Sequence, residues 1–105
     1  MDEKQQYLAK FWLVIGHIPE GRVATYGGVA EMAGYPRMAR AVGRCLKTLP
    51  KGSSLPWHRV INAKGMISFP EGSPQYQTQR QRLEDEGIIF RNNKVPLAQH
   101  RWLGD

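Results

Sequence analysis

With 105 residues, 41% of them apolar and 23% charged, the chain has the material for one domain with one modest core. Its lone cysteine, Cys45, leaves no disulfide framework, its histidines (His17, His58 and His100) lack metal-ligand spacing, and no apolar run approaches the roughly 20 residues that span a bilayer. A net charge of +6 points to a polyanionic partner, and the polar start MDEKQQYLAKF does not read as a signal peptide, so the expectation is a cytoplasmic, nucleoid-associated monomer without metal or cofactor.

Residues 4–18 place Tyr7, Phe11, Val14 and Ile18 at helical spacing, which predicts an amphipathic helix ended by Pro19. Thr25 can cap a second helix over Tyr26 to Met32, closed by Gly34 in the left-handed conformation. Pro36 suits the first turn of a third helix that runs to about Leu49, before Pro50. Two short helices around a Gly-containing turn, AEMAGYPRMARAV, fit a helix-turn-helix. RVINAKGMIS then reads as two short strands about the Ala63-Lys64-Gly65 turn. Ser73-Pro74 opens a fourth helix that ends at Glu86 with Gly87 as its cap, and GIIFR and KVPL flank Asn92-Asn93 as a second hairpin. The expected fold class is mainly α with short β-hairpins, winged helix-turn-helix-like, in a single domain over residues 1–105.

The charge is not evenly spread. Between Glu31 and Glu71 there is no acid at all, while Arg37, Arg40, Arg44, Lys47, Lys51, Arg59 and Lys64 all fall there. At about 100° per residue, Met38, Val42, Cys45, Leu46 and Leu49 gather on one side of the third helix. Arg37, Arg40, Arg44, Lys47 and Lys51 gather nearly opposite. The first set reads as a core stripe, with Cys45 as a small buried hydrophobe. The second sits where a helix-turn-helix meets DNA, and Ala39, Ala41 and Gly43 beside it would let the backbone approach a groove. A solvated basic face without a partner is the competing reading; the missing acids and the small residues favour DNA. Spacing alone leaves the groove undetermined.

Three separated motifs carry a resemblance: IPEGRVATYGGVAEMAGYPRMARAVGRCL, then LPWHRVIN, then RLEDEG. In order and spacing, from about Lys4 to Phe90, they resemble the DNA-binding domain of the O6-alkylguanine-DNA alkyltransferases. Where that family carries Pro-Cys-His-Arg-Val, this chain has Pro56-Trp57-His58-Arg59-Val60. Tryptophan at the nucleophile's position is the mark of the non-enzymatic alkyltransferase-like proteins. Alkyl transfer needs a thiolate activated by a base, and an indole offers only an N–H donor. The resemblance gives the activating pair as His58 and Glu86, both kept here, with Arg59, as a scaffold for the pocket. Read from the sequence alone, His58 is equally a buried structural histidine. Glu84, Asp85 and Glu86 crowd a helix C-terminus, where the macrodipole disfavours negative charge, so at least one of them needs a local partner.

The resemblance implies that DNA is bound through the minor groove by Thr25, Tyr26, Arg37, Ala39, Arg40, Ala41, Gly43 and Arg44, with the damaged nucleotide turned out of the stack. Tyr26 would rotate the phosphate beside the lesion, and Arg40 would be the finger that fills the vacated space. Tyr26, Trp57, Val60 and Pro70 would form the lesion pocket, Val60 through its backbone carbonyl, bordered by the loop 67–73. The implied partners are duplex DNA containing O6-alkylguanine and, through resemblance alone, nucleotide excision repair proteins. Two positions depart from the family. Phe69 and Pro70 stand where some relatives carry an arginine that contacts the alkylated base, and Leu49 stands where active enzymes carry a hinge asparagine. Two other readings compete: a winged helix-turn-helix transcription factor without lesion specificity, which would leave PWHRV and DEG unexplained, and an alkyltransferase using Cys45, which the core stripe argues against.

Overall fold

A computed structural model describes residues 2–49 and 52–105, so the expected stop at Pro50 and the cation Lys51 lie outside the described residues. Helix α1, Glu3–Gly16, starts where Asp2 accepts a hydrogen bond from the Gln5 N–H at 2.8 Å, with Glu3 placed favourably at the positive end of the helix dipole. Its buried face is Phe11 and Ile15, continued by Ile18 after the helix ends; Tyr7 and Val14 flank that face half-buried. Strand β1 is Ala24–Thr25 and leads directly into α2, Tyr26–Met32. The Thr25 hydroxyl caps α2 by accepting from the Gly28 N–H at 3.0 Å. Gly34, at φ +89°, closes α2 as expected.

Helix α3, Ala39–Lys47, begins later than Pro36 suggests. Arg37 takes φ 71°, a left-handed conformation that interrupts any helix through it, and Met38 caps α3 without a side-chain hydrogen bond. The left-handed residue makes the turn that lets α2 and α3 pack on each other. Helix α4, Pro74–Asp85, follows the Ser73-Pro74 signal: Ser73 Oγ accepts from the Tyr76 N–H at 3.1 Å, and Gly87 at φ +92° ends the helix after Glu86.

The strands pair differently from expectation. Strand β2, Val60–Ile61, follows a single 3-10 turn at Trp57–Arg59 and pairs with β1 in parallel, Ala24 opposite Val60 and Thr25 opposite Ile61. Both residues of each strand are buried, so this is a core pair with no solvent face, and the alternation that marks a hairpin does not apply. The turn after it does form, since Asn62 Oδ1 accepts from the N–H groups of Lys64 and Met66, each at 2.9 Å. The return leg keeps one backbone bond across the turn, from the Asn62 N–H to the Met66 carbonyl at 3.0 Å, and the Gly65 carbonyl accepts from the Val95 N–H at 2.8 Å. The second hairpin is reduced to one antiparallel bridge, Arg91 with Lys94, around Asn92 and Asn93 at φ 53° and 62°. A short helix not anticipated, α5 at Leu97–His100, precedes a parallel bridge between Arg101 and Val23.

The architecture is mainly helical around two adjoining cores. Phe11, Ile15, Val29, Val42 and Val60 belong to the larger, and Val23, Ile61, Leu83, Ile88 and Val95 to the smaller. No helix among the described residues is long and apolar enough to cross a membrane.

Candidate nucleic-acid interface

Helix α3 divides as its periodicity requires, with two corrections. Ala41, Val42 and Cys45 face the core, while Arg40, Arg44 and Lys47 are exposed along the helix and Arg37 is exposed at its approach. Ala41 is only 4% exposed, so it belongs to the core and not to the basic face; it lies one turn before Cys45. Leu46 is half-buried and packs against the core while also lining a groove, and Leu49, half-buried too, lines the groove beside it. Ala39 and Gly43 line the same groove, and the Gly43 Cα faces open space. Thr25 is buried, and its hydroxyl oxygen accepts from the Gly28 N–H at the α2 cap.

The groove encloses about 1110 Å³ between α3, the 3-10 turn, the loop before α4, and α4 itself. Tyr26, Trp57, Val60 and Pro70 all line it, with Arg40 at its rim. Trp57 is half-buried and stands edge-on to Phe69, ring centroids 6.3 Å apart at 86°. The Arg82 guanidinium, from α4, lies 5.4 Å from the centre of the Trp57 ring.

Beneath Trp57 lies a network of paired charge. His58 Nε2 is 2.6 Å from Glu86 Oε2, and Arg59 donates Nε and Nη2 to the same carboxylate, at 2.8 Å for Nη2. Glu86 Oε1 also accepts from the Gly21 N–H at 2.9 Å, and Arg59 Nη1 donates to the Ile18 carbonyl at 2.9 Å. Of the three acids at the end of α4, Glu86 is thus the one with a buried partner set, while Glu84 pairs loosely with Arg80 at 3.5 Å and Asp85 accepts from Gln81 at 2.8 Å on the exposed side. Burial would raise the Glu86 carboxyl, but the hydrogen bonds from Arg59, Gly21 and His58 outweigh it and lower the pKa to about 2. Burial pushes His58 below its usual value against the opposing pull of Glu86. His58 is therefore neutral near pH 7 and donates its Nε2–H to the carboxylate, which can only accept. That tautomer leaves Nδ1 as an acceptor, and it is buried without a partner among the described residues.

Gln79 completes the support, a residue the sequence reading overlooked. It is 3% exposed and its Nε2 donates to the carbonyls of His58 at 3.1 Å and Val60 at 3.0 Å. A polar residue in step with Tyr76 and Leu83 on the buried face of α4 was the available signal. The Val60 carbonyl keeps a second lone pair for a ligand. Cys45, by contrast, is 1% exposed and burial raises its thiol pKa, so its sulfur is neither accessible nor ionised. The described residues contain no cluster of His, Cys, Asp or Glu suited to a metal ion.

A helical domain with a basic turn-and-helix beside an aromatic groove is a DNA-binding architecture, and residues 6–88 match the family described as 6-O-methylguanine DNA methyltransferase, DNA binding domain. The chain is 46% identical over 103 residues to the DNA base-flipping protein of Escherichia coli, covering 97% of this chain and 78% of that one. Alkyltransferase-like protein 1 of Schizosaccharomyces pombe is 39% identical over 107 residues, with 97% of this chain and 96% of that one covered. The crystal structure of S. pombe Atl1 in complex with damaged DNA containing O6-carboxymethylguanine superposes with a TM-score of 0.84 at 37% identity, covering 97% of this chain and 98% of that chain. The chain belongs to the 6-O-methylguanine DNA methyltransferase DNA-binding family and, within it, to the alkyltransferase-like type.

Proposed function

We propose that this protein binds O6-alkylguanine in duplex DNA and turns the damaged nucleotide into the groove without removing the alkyl group. The observation that carries this reading is Trp57, an indole at the wall of a groove whose supporting His58–Glu86 pair is intact beneath it. A thiol there would be an acceptor for alkyl transfer; an indole face holds a purine by stacking and accepts nothing. The exposed Arg37, Arg44 and Lys47 hold phosphates, Arg40 enters the stack through the minor groove, and Tyr26 assists the rotation of the nucleotide. Ala39 and Gly43 keep the helix face low enough for close approach. The base rests against Trp57 and the Val60 carbonyl, bordered by Pro70, while His58, Arg59 and Glu86 hold the floor. The protein acts as a monomer on the nucleoid, and the bent, occupied lesion is the signal for nucleotide excision repair proteins.

The support is the family membership together with relatives named for base flipping and bound to damaged DNA. The test is a paired titration of one duplex with and without a single O6-methylguanine, followed by analysis of the recovered base. Tighter binding to the modified duplex, with the methyl group still present, is the expected result. Equal affinity for both duplexes would return the basic helix to general DNA binding, and loss of the methyl group would refute the non-enzymatic reading.

A further inference from the structure

We infer that Arg82 makes the groove selective for adducts that carry negative charge at the end of the alkyl chain. The inference rests on the lesion-binding reading above and names the class of lesion it favours. Arg82 lines the groove from α4, on an element that carries none of the phosphate-facing cations of α3. Its guanidinium lies over the Trp57 ring at 5.4 Å, which places it against the surface where a flipped base would stack. The neighbouring basic residues of α4 and the floor are already engaged: Arg80 bonds Tyr76, Asn93 and Glu84, and Arg59 is held by Glu86 and the Ile18 carbonyl. Arg82 makes no hydrogen bond or ion pair with any described residue, and no described residue lining the groove is an acid. A guanidinium with unused donors beside an acid-free pocket wall matches a carboxylate in geometry and charge. Phe69 and Pro70, on the adjoining loop, supply only apolar surface, and Ser68, Gln75 and Gln79 are neutral, so the positive charge at this wall comes from Arg82.

The experiment compares two adducts of matched size that differ in charge: O6-carboxymethylguanine and its neutral amide, O6-carbamoylmethylguanine, each in the same duplex beside O6-methylguanine and unmodified guanine. The wild-type protein is expected to bind the carboxymethyl duplex about tenfold more tightly than the amide at low salt, the worth of one charge-assisted hydrogen bond. In Arg82→Gln that ratio should fall to near one, and Arg82→Lys should restore part of it. Dividing the two affinities removes any general loss of DNA binding or of folded protein. A wild-type ratio near one, or a ratio that survives Arg82→Gln, overturns the inference. So does a variant in which all four duplexes weaken together at unchanged ratio, because that is the behaviour of a phosphate contact. If O6-methylguanine and unmodified guanine bind equally while the carboxymethyl preference depends on Arg82, the lesion reading fails and the charge assignment stands; the reverse pattern sinks only the assignment.

Discussion

Two arginine-bearing regions of this molecule lie close together and use the same side chain in opposite ways. On α3 and its approach, Arg37, Arg40 and Arg44 are exposed and form no ion pair among the described residues. Under Trp57, Arg59 is enclosed by Glu86 and the Ile18 carbonyl, and its donors are spent on the protein. Satisfied charge holds a shape, whereas unsatisfied charge waits for a partner. The difference teaches that sequence counts of cations mix two populations, and that hydrogen-bond bookkeeping separates them.

The sharpest break of that contrast is removal of the shared carboxylate. Glu86→Ala leaves Arg59 and His58 without their acceptor and is expected to destabilise the fold by about 3 kcal/mol, read by denaturant unfolding at neutral pH. The same figure follows from the carboxyl pKa: the drop from 4.5 to about 2 corresponds to ~3 kcal/mol of linked stability. Because the folded-state pKa is depressed, this stability is present above the ordinary carboxylate range and is lost as pH falls from about 4.5 through 2. His58 acts in the same direction, since a buried neutral histidine must be protonated on unfolding below its usual 6.5. An unfolding curve that is flat between pH 6 and 3 would contradict both assignments.

The opposite break lies on the exposed side. Arg40→Ala is expected to weaken lesion binding at least tenfold, about 1.4 kcal/mol, while moving stability by less than ~0.5 kcal/mol. If unfolding shifts and binding does not, Arg40 belongs with Arg59 and not with α3. Arg44→Ala or Lys47→Ala should weaken modified and unmodified duplexes alike and lower the slope of log affinity against log salt by about 1. The smallest effect sharpens the comparison within the basic face: Arg37→Gly relieves a left-handed backbone at φ 71° and should gain up to about 1 kcal/mol of stability while losing one phosphate contact.

What was legible in the sequence was local. Thr25, Ser73-Pro74, Gly34 and Gly87 signal helix ends through bonds made within a few residues, and the structure has them all. The pairing of His58 with Glu86 was legible likewise, because each sits in a motif that matches a known pattern. Parallel pairing of Ala24 with Val60 was not legible, since two fully buried residues show no alternation and the partner lies far along the chain. The start of α3 was misplaced because Pro36 is a good first-turn residue, whereas Arg37 in a left-handed state gives no sign of itself. Arg82 and Gln79 were invisible for a different reason. They enter the site by tertiary packing of α4 on the 3-10 turn, which periodicity places on a face but not against a neighbour.

The tail of the chain carries a consequence for the tyrosine at the groove. Val23 accepts at its carbonyl from the Trp102 N–H at 2.7 Å and donates its own N–H to the His100 carbonyl at 2.9 Å. The segment that leads into Tyr26 is thereby clasped on one edge by residues after α5 and on the other by β2. A strand held on both edges is guarded against fraying and against pairing with a foreign strand, so residues 100–102 work as a latch on the backbone that sets Tyr26 in the groove wall. Cutting that latch would free the post on which the Tyr26 side of the groove stands.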